Sequence, residues 1–411
     1  MNRQPFQTPP RWWGPRLSPW WVRCCRPFRD RELRVFQRIE QIHLVNPQPL
    51  LELQRAGGGI LVTPNHSTHY DSTCLYAATE RTGVLCHFLT AWQVFGGLPW
   101  WQQWSYQRHG CFSIDRENTD VRALKQATEL LQIGSSPLVI FPEGDIHHVG
   151  ERLMPFRDGA AAIALMAVKK STRPIHALPC AIRFRYLDDP RPSLEAVMNR
   201  LEDRLFLGRR PELPLAERIL RLADVSLTIK EIEHLGQPTR GTIRQRLMHL
   251  AESILQKIDH SFGNSPSDGS VPDRVKELRR KAIMALEQPD ATPAERARHQ
   301  RHLDDLFLVV QLYSYPGDYL IERPSAERLA ETIDKLEEDI LGVELPTVHG
   351  RRQVVIQFGE PLRIQREPGN RNQTRELTSQ LESRVLELLT HGGHPPQLPL
   401  EAASTREASC V

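Results

Sequence analysis

From about residue 50 to residue 186, short apolar runs alternate with longer stretches of helical period. Gly59–Pro64 (GILVTP) is a continuous apolar run led by glycines, and it predicts a buried strand. Asp71–Glu80 then predicts a helix, Val84–Thr90 a strand, and Cys111–Ile114 another strand. Over Thr119–Ile133, Val121, Leu124, Thr128 and Leu131 recur at helical spacing, with Asn118 or Thr119 as the cap. Leu138–Phe141 predicts a strand stopped by Pro142. Gly159–Val168, apolar on every side, predicts a buried helix, and Ile175–Phe184 a further strand. This alternation argues for an α/β domain built on a central, mostly parallel sheet flanked by helices.

From about residue 190 the pattern becomes helical only. Ile243, Leu247, Leu250, Ile254 and Ile258 form one stripe, and Leu329, Ile333, Leu336 and Ile340 another. Ser261–Pro272 (SFGNSPSDGSVP) between them has the composition of a loop. A late strand is expected at Arg352–Phe358, and then a helix with Leu377, Leu381, Val385 and Leu388 on one face. The expected organisation is a segment 1–45 with a short helical pattern near 32–42, an α/β core over 46–190 and a large all-helical insertion over 191–345. A returning strand and helix of the core follow over 346–390, then a disordered tail over 391–411.

Charge changes the reading of the first segment. Residues 1–38 carry nine arginines against Asp30 and Glu32, a local excess of +7 in a chain whose formal total is +3. Trp12, Trp13, Trp20 and Trp21, half of the eight tryptophans, also lie there. Tryptophan beside arginine suits a membrane–water boundary, where the ring is half buried and the guanidinium meets anionic headgroups. Pro9, Pro10, Pro15 and Pro19 argue against a continuous amphipathic helix, so the expectation is an irregular anchor; a disordered basic arm is the alternative. Nucleic acid is not expected as a partner, since no binding fold accompanies the charge. No run approaches the roughly 18 apolar residues of a spanning helix. No signal peptide is recognisable, and the seven scattered cysteines read as reduced thiols. The expected location is the cytoplasm, peripherally on a membrane.

Four segments at strand ends carry the candidate chemistry. In Asn65-His66-Ser67-Thr68-His69-Tyr70-Asp71, the aspartate can fold back to accept from one ring nitrogen of His66 and leave the other as a general base. This is the base–orienter pair of a hydrolytic triad without its serine, so a substrate hydroxyl would be the nucleophile. A helix-capping aspartate beside an unrelated histidine is the plain alternative. In Gly110–Arg116 (GCFSIDR), Arg116 can grip an oxyanion with two hydrogen bonds, or sit in a surface ion pair. In Phe141-Pro142-Glu143-Gly144, the proline stiffens the strand exit and Gly144 permits close backbone approach. Glu143 there either faces the same edge or is solvated in a turn. In Ala177–Ile182, Pro179 lies inside a strand, a position that ordinarily marks an edge or a bulge.

Together these segments resemble the glycerolipid acyltransferase family, the group that includes the lysophosphatidic acid acyltransferases (PlsC-type). Asn65, His66 and Asp71 meet its Asn-His-x4-Asp block, and Gly110–Arg116 is close to its Gly-x-x-Phe-Ile-Asp-Arg block. Phe141–Gly144 meets Phe-Pro-Glu-Gly in full, and Pro179 the proline-bearing strand. Phe156–Ala162 and Val354–Leu362 also look like family sequence, so the resemblance spans roughly 50–190 and 350–390. It implies transfer of a fatty acyl group from a thioester, acyl-CoA or acyl-carrier protein, to a lipid hydroxyl, as in phospholipid biosynthesis, with no metal or bound cofactor. His66 would be the base, oriented by Asp71. Asn65, Arg116, Glu143, Gly144 and Pro179 would bind or position substrate, and an apolar acyl pocket would open beside His66.

One departure concerns the acceptor. The family often continues Glu-Gly with Thr-Arg-Ser, whose arginine holds the acceptor's phosphate; here Asp145-Ile146-His147 stands instead. An aspartate repels a phosphate dianion by about 1 kcal/mol at 4 Å in water and more in a drier cleft. Arg116, Arg152 and Arg157 could compensate, and a lysophospholipid and a non-phosphate lipid both stay open as acceptors. Two other classes also stay open. One is a metal-dependent hydrolase drawing on His66, His69, Asp71, Glu143, Asp145, His147 and His148; the other is a non-catalytic membrane-docking protein.

Overall fold

The computed structural model describes residues 10–117, 119–263, 269–322 and 324–391. The expected tail beyond 391, Asn118, Cys410 and the middle of the 261–272 loop lie outside these residues. The first ordered elements are α1 (Pro19–Arg31), a π-helical turn at Glu32–Phe36, β1 (Ile39–Val45) and α2 (Gln48–Arg55). The strands and helices of the core follow as β2 (Gly59–Pro64), α3 (Asp71–Arg81), β3 (His87–Ala91), α4 (Trp92–Gly96), α5 (Trp100–Arg108) and β4 (Cys111–Ile114). They continue as α6 (Val121–Ile133), β5 (Leu138–Val139), α7 (Gly159–Lys170) and β6 (Ile175–Tyr186).

A run without strands comes next: α8 (Arg191–Arg204), α9 (Leu215–Leu235), α10 (Ile243–Ser261), α11 (Val271–Leu286), α12 (Pro293–Tyr313), α13 (Tyr319–Glu322) and α14 (Ala326–Leu336). A second π-helical turn at Glu337–Leu341 closes it, and β7 (Arg352–Phe358), β8 (Leu362–Arg363) and α15 (Gln373–His391) complete the described chain. Helices α9 to α12 pack around one apolar cluster that includes Leu250, Ile254, Leu278 and Leu306. A second cluster joins α8, α9 and α14 through Leu194, Leu201, Leu222 and Ile333.

The eight strands form one mostly parallel sheet in the order β1-β7-β6-β2-β5-β3-β4, with β8 pairing β6 alongside β7. β2 lies parallel to β6 and β5, and β3 parallel to β5 and β4; β6 meets β7 and β8 antiparallel. Side chains of a strand alternate between sheet faces, and β2 shows it. Ile60 and Val62 enter the cluster with α2 and α3, whereas Leu61 enters the cluster with α6, α7 and α15. Gly59 is required for this packing, since a Cβ there would lie 2.1 Å from the Leu131 carbonyl at the end of α6.

Several local expectations change. Residues 32–42 form a π-turn and a strand rather than a helix, because β1 gains a full parallel partner in β7. α6 is capped by Asp120, which accepts from the Ala123 amide, and not by Asn118 or Thr119. Its buried face is Ala123, Ala127 and Leu131, while Val121 is exposed. α7 is not buried on every side, since Met166 faces out. Pro179 sits in an interior strand. β6 leaves β8 at Ala177 and takes up β7 at Cys180, so Pro179 falls in the changeover, where its carbonyl accepts from Gly359 N and no N–H is needed.

The arginine-rich segment, over the residues described, is neither a loose arm nor free of helix. Pro19 occupies the first turn of α1, where its fixed φ favours the helix, and Ser18 caps it. Residues before the helix are pinned to the core: Ser113 N donates to Trp13 O, Arg16 N to Gln107 O and Ser18 N to Arg108 O. Trp13 stacks on Phe95 with centroids 5.2 Å apart, and Trp21 meets Trp104 edge to face. The N-terminal tryptophans thereby join those of residues 92–104, two groups far apart in the chain. Trp20, Trp100 and Trp101 remain exposed at 69%, 77% and 54%. Among the described residues, no helix is long and apolar enough to cross a membrane, and six cysteines are free thiols.

Candidate active site

β2 emerges between β5 and β6, a point where successive crossovers diverge and a crevice opens at the carboxyl ends of the strands. Asn65 begins the turn leaving β2. Its side chain donates to Ile182 O at 3.0 Å and accepts from Ile182 N at 2.7 Å, anchoring the turn to β6. Both ends of its amide are taken by backbone, so Asn65 acts as a strut for the loop.

His66 Nδ1 lies 2.9 Å from Asp71 Oδ2. Asp71 is fully buried, and the same oxygen accepts from the amides of Ser67 (2.6 Å) and Thr68 (2.9 Å). The Thr68 hydroxyl donates to Oδ1 at 3.2 Å. These donors hold the carboxylate in one orientation, which selects the His66 tautomer with the proton on Nδ1 and a lone pair on Nε2. Among the described residues Nε2 has no hydrogen-bond partner, and the half-buried ring stacks on Phe141 at 4.1 Å. Ser67, Thr68 and Phe141 escaped the sequence reading as parts of this pair; their polar or aromatic type is common, and only the turn aims them.

Glu143, just past β5, accepts from His66 N through Oε1 (2.6 Å) and from Met154 N through Oε2 (3.1 Å). It is buried and braces the His66 loop. Burial pushes its carboxyl up to about 8, against the two amides that pull it down. Gly144 has φ +75°, and a Cβ there would lie 2.7 Å from Arg157 Nε. This glycine is needed both for its backbone angle and for the arginine packed on it. Arg116 donates to the Gly144 carbonyl and lies 3.9 Å from Asp145 Oδ2. Asp145 is held below the usual carboxylate range by Arg116, His147 and Arg157, which together outweigh its burial. Arg152, in contrast, is turned away to Asp318 at 2.6 Å.

The histidines and carboxylates that might have converged on one metal divide instead. His66 pairs with Asp71, Asp145 with Arg116, and Glu143 with backbone amides. His147 Nδ1 reaches Ser314, just past the end of α12, and burial pushes this imidazole down to about 4. His69 and His148 both face Glu338, a residue of the helical block that nothing in the local sequence could pair with them.

The helical run encloses an apolar cavity of about 490 Å³. Ile219, Ala223, Leu247, Leu312 and Leu336 line it, with His147 and His148 at one wall. His66 is not among its lining residues, and His147 and His148, which are, come from the loop after β5.

Two buried carboxyls give the fold a pH dependence. Burial pushes both Glu143 and Glu331 up to about 8. Each therefore keeps in the folded state a proton that the unfolded chain loses near its ordinary value. Stability from these groups is full below that ordinary value and is lost as pH rises toward 8. Histidines pushed down to about 4, such as His109 and His302, act oppositely but only below about 6.5. Stability is expected to fall between pH 6.5 and 8 by up to about 1.4 kcal/mol per pH unit per carboxyl, and the melting temperature with it. A scanning-calorimetry series that is flat or rising over this window would contradict it.

The α/β domain thus presents a half-buried histidine held by a buried aspartate just past a strand end, an arrangement suited to proton transfer. Residues 41–183 match the family model described as Acyltransferase. This match supports the glycerolipid acyltransferase family for that segment and acyl transfer as its general activity. Among curated proteins no match to the chain is found.

Proposed function

We propose that the chain moves a fatty acyl group from a thioester, acyl-CoA or acyl-carrier protein, to a hydroxyl of a lipid acceptor. The observation that carries this reading is the His66–Asp71 contact with Asp71 buried under the loop's own amides. His66 Nε2 takes the proton of the acceptor hydroxyl as its oxygen attacks the thioester carbonyl. The tetrahedral intermediate collapses, the C–S bond breaks, and the imidazolium returns the proton to the departing thiolate. The activity fits a 1-acylglycerol-3-phosphate O-acyltransferase in type. However, Arg116 and Arg157 share their crevice with Asp145, which leaves about one net positive charge for the acceptor. That balance favours an acceptor bearing a single negative charge, or none, over a phosphate dianion. Release of thiol from acyl-CoA on addition of a hydroxyl lipid, together with lipid profiles of cells with and without the protein, tests the reading. Thiol release that no lipid acceptor stimulates would overturn it.

The apolar cavity of the helical block is suited to the acyl chain, being of the size and polarity of small-molecule sites. Ala223→Trp is expected to cut turnover of long-chain donors by about tenfold or more while sparing short ones, since a filled cavity loses most of its apolar contact. Equal loss at every chain length would move the acyl chain elsewhere.

Membrane docking is supported by the exposed rings of Trp20, Trp100 and Trp101 beside the arginines of α1. The double variant Trp100→Ala/Trp101→Ala is expected to weaken sedimentation with anionic vesicles by about tenfold, as two interfacial aromatic anchors are lost. Unchanged sedimentation would assign the tryptophans to another role.

A further inference from the structure

His69 belongs to the loop that carries His66 and Asp71, yet it points to a different partner. Its Nε2 lies 2.8 Å from Glu338 Oε1, in the π-helical turn that ends the helical block. His148, from the loop after β5, brings its own Nε2 to 3.0 Å from the same oxygen. The two imidazoles meet edge to face with centroids 5.7 Å apart, and the three ligating atoms all lie within 4.8 Å of one another. His148 and Glu338 are buried.

The cluster is poorly explained as a hydrogen-bonded group. Despite the short approach to Glu338, neither ring nitrogen of His148 makes a hydrogen bond of acceptable geometry. A buried polar group left unsatisfied in this way is destabilising. His148 also holds φ +53°, a left-handed conformation uncommon for residues other than glycine. A second grouping of similar composition shows the contrast. In Asp334, Glu337 and His349, His349 bonds Asp334 through Nε2 and Ser193 through Nδ1. Glu337 accepts from Arg200 and from the amide and hydroxyl of Thr347. An ion there would have to displace a guanidinium.

We propose that His69, His148 and Glu338 form a site for a divalent transition-metal ion, with Zn²⁺ the ion whose preferences they meet. Two imidazole nitrogens and one carboxylate oxygen are a common zinc set, with a fourth position left for water. Metal–ligand bonds of about 2.0–2.2 Å in tetrahedral geometry place ligand atoms about 3.4 Å apart. The atoms facing Glu338 need to spread by only a few tenths of an ångström. The ion would join three segments: the loop bearing His66 and Asp71, the loop bearing Glu143, and the end of the helical block. Its role is a clamp that sets the helical block against the catalytic loop. The site stands on ligand geometry and not on the acyl-transfer reading, so either can fail without the other.

The test uses the full chain, stripped with chelator and then dialysed against Zn²⁺ or Co²⁺. Wild type is expected to retain about one ion per chain, to melt at higher temperature with Zn²⁺, and to show visible d–d absorption with Co²⁺. Glu338→Gln and His148→Ala are expected to weaken retention by at least about tenfold. Glu337→Gln, one residue away, keeps it. Circular dichroism identifies any variant that fails to fold. Wild type that retains no more ion than Glu338→Gln, or that gains no stability from Zn²⁺, would overturn the proposal and leave a carboxylate hydrogen-bonded to His69 with His148 packed beside it.

Discussion

Thioester release by His66→Ala is expected to fall by about 10³-fold, with little change in melting temperature. A positioned general base contributes about 10²–10⁴-fold to such a reaction. The half-buried ring is removed, but Asp71 keeps the amides of Ser67 and Thr68 and the Thr68 hydroxyl, so the loop retains its scaffold. Steady-state kinetics with acyl-CoA and a hydroxyl acceptor, alongside thermal melting, check the result. Turnover near that of wild type would sink the mechanism.

Asp71→Asn is expected to be almost as damaging to turnover and more damaging to the fold. The carboxamide presents one acceptor where the carboxylate presents two. Because His66 Nδ1 and the Ser67 and Thr68 amides all meet Oδ2, an amide oxygen in that place keeps the contacts without the charge that stabilises the imidazolium. An NH2 group there opposes both backbone amides and forces the ring into the tautomer with the proton on Nε2. That nitrogen then has no lone pair for the acceptor hydroxyl. Loss by the wrong tautomer in comparable pairs is about 10⁴-fold. The stability cost is about 1–3 kcal/mol, because Asp71 is fully buried and one of its partners is left unsatisfied. Melting curves and kinetics taken together separate the two effects. A variant that loses stability but keeps wild-type turnover would show that Asp71 holds the loop and not the tautomer.

The loop from Glu143 to Phe156 couples the two halves of the molecule. Glu143 braces the His66 loop, while Glu151 accepts from Arg185 of the sheet and Arg328 of α14. Arg152 binds Asp318, and Tyr319 donates to Glu331 in the same region. Ion pairs buried to this degree are sensitive to loss of one partner. Substitutions in the helical block are therefore able to reach the His66 loop through packing alone.

The local sequence carried the strand–helix alternation of the core because periods of two and of 3.6 residues are written in neighbouring positions. Cys111–Ile114 and Arg352–Phe358 were legible with their ends, and the approach of Asp71 to His66 was one of the two readings their five-residue spacing allowed. What depended on distant partners was not legible. Residues 39–45 became a strand because β7, some three hundred residues later, offered it a parallel edge. Trp13 meets Phe95 and Trp21 meets Trp104 only because the chain is pinned along Ser113 and Arg108. Asn65 and Glu143 read as substrate-facing groups, but in the fold their polar atoms are spent on backbone of β6 and of the His66 loop. Glu338 is the clearest case: 269 residues separate it from His69, and no local pattern encodes their meeting. By itself, then, the sequence determined most elements of the core and offered the short-range His66–Asp71 pair, because their physics is local. The tertiary structure decided which polar groups remain available for chemistry, because that depends on what each one faces after the chain has closed.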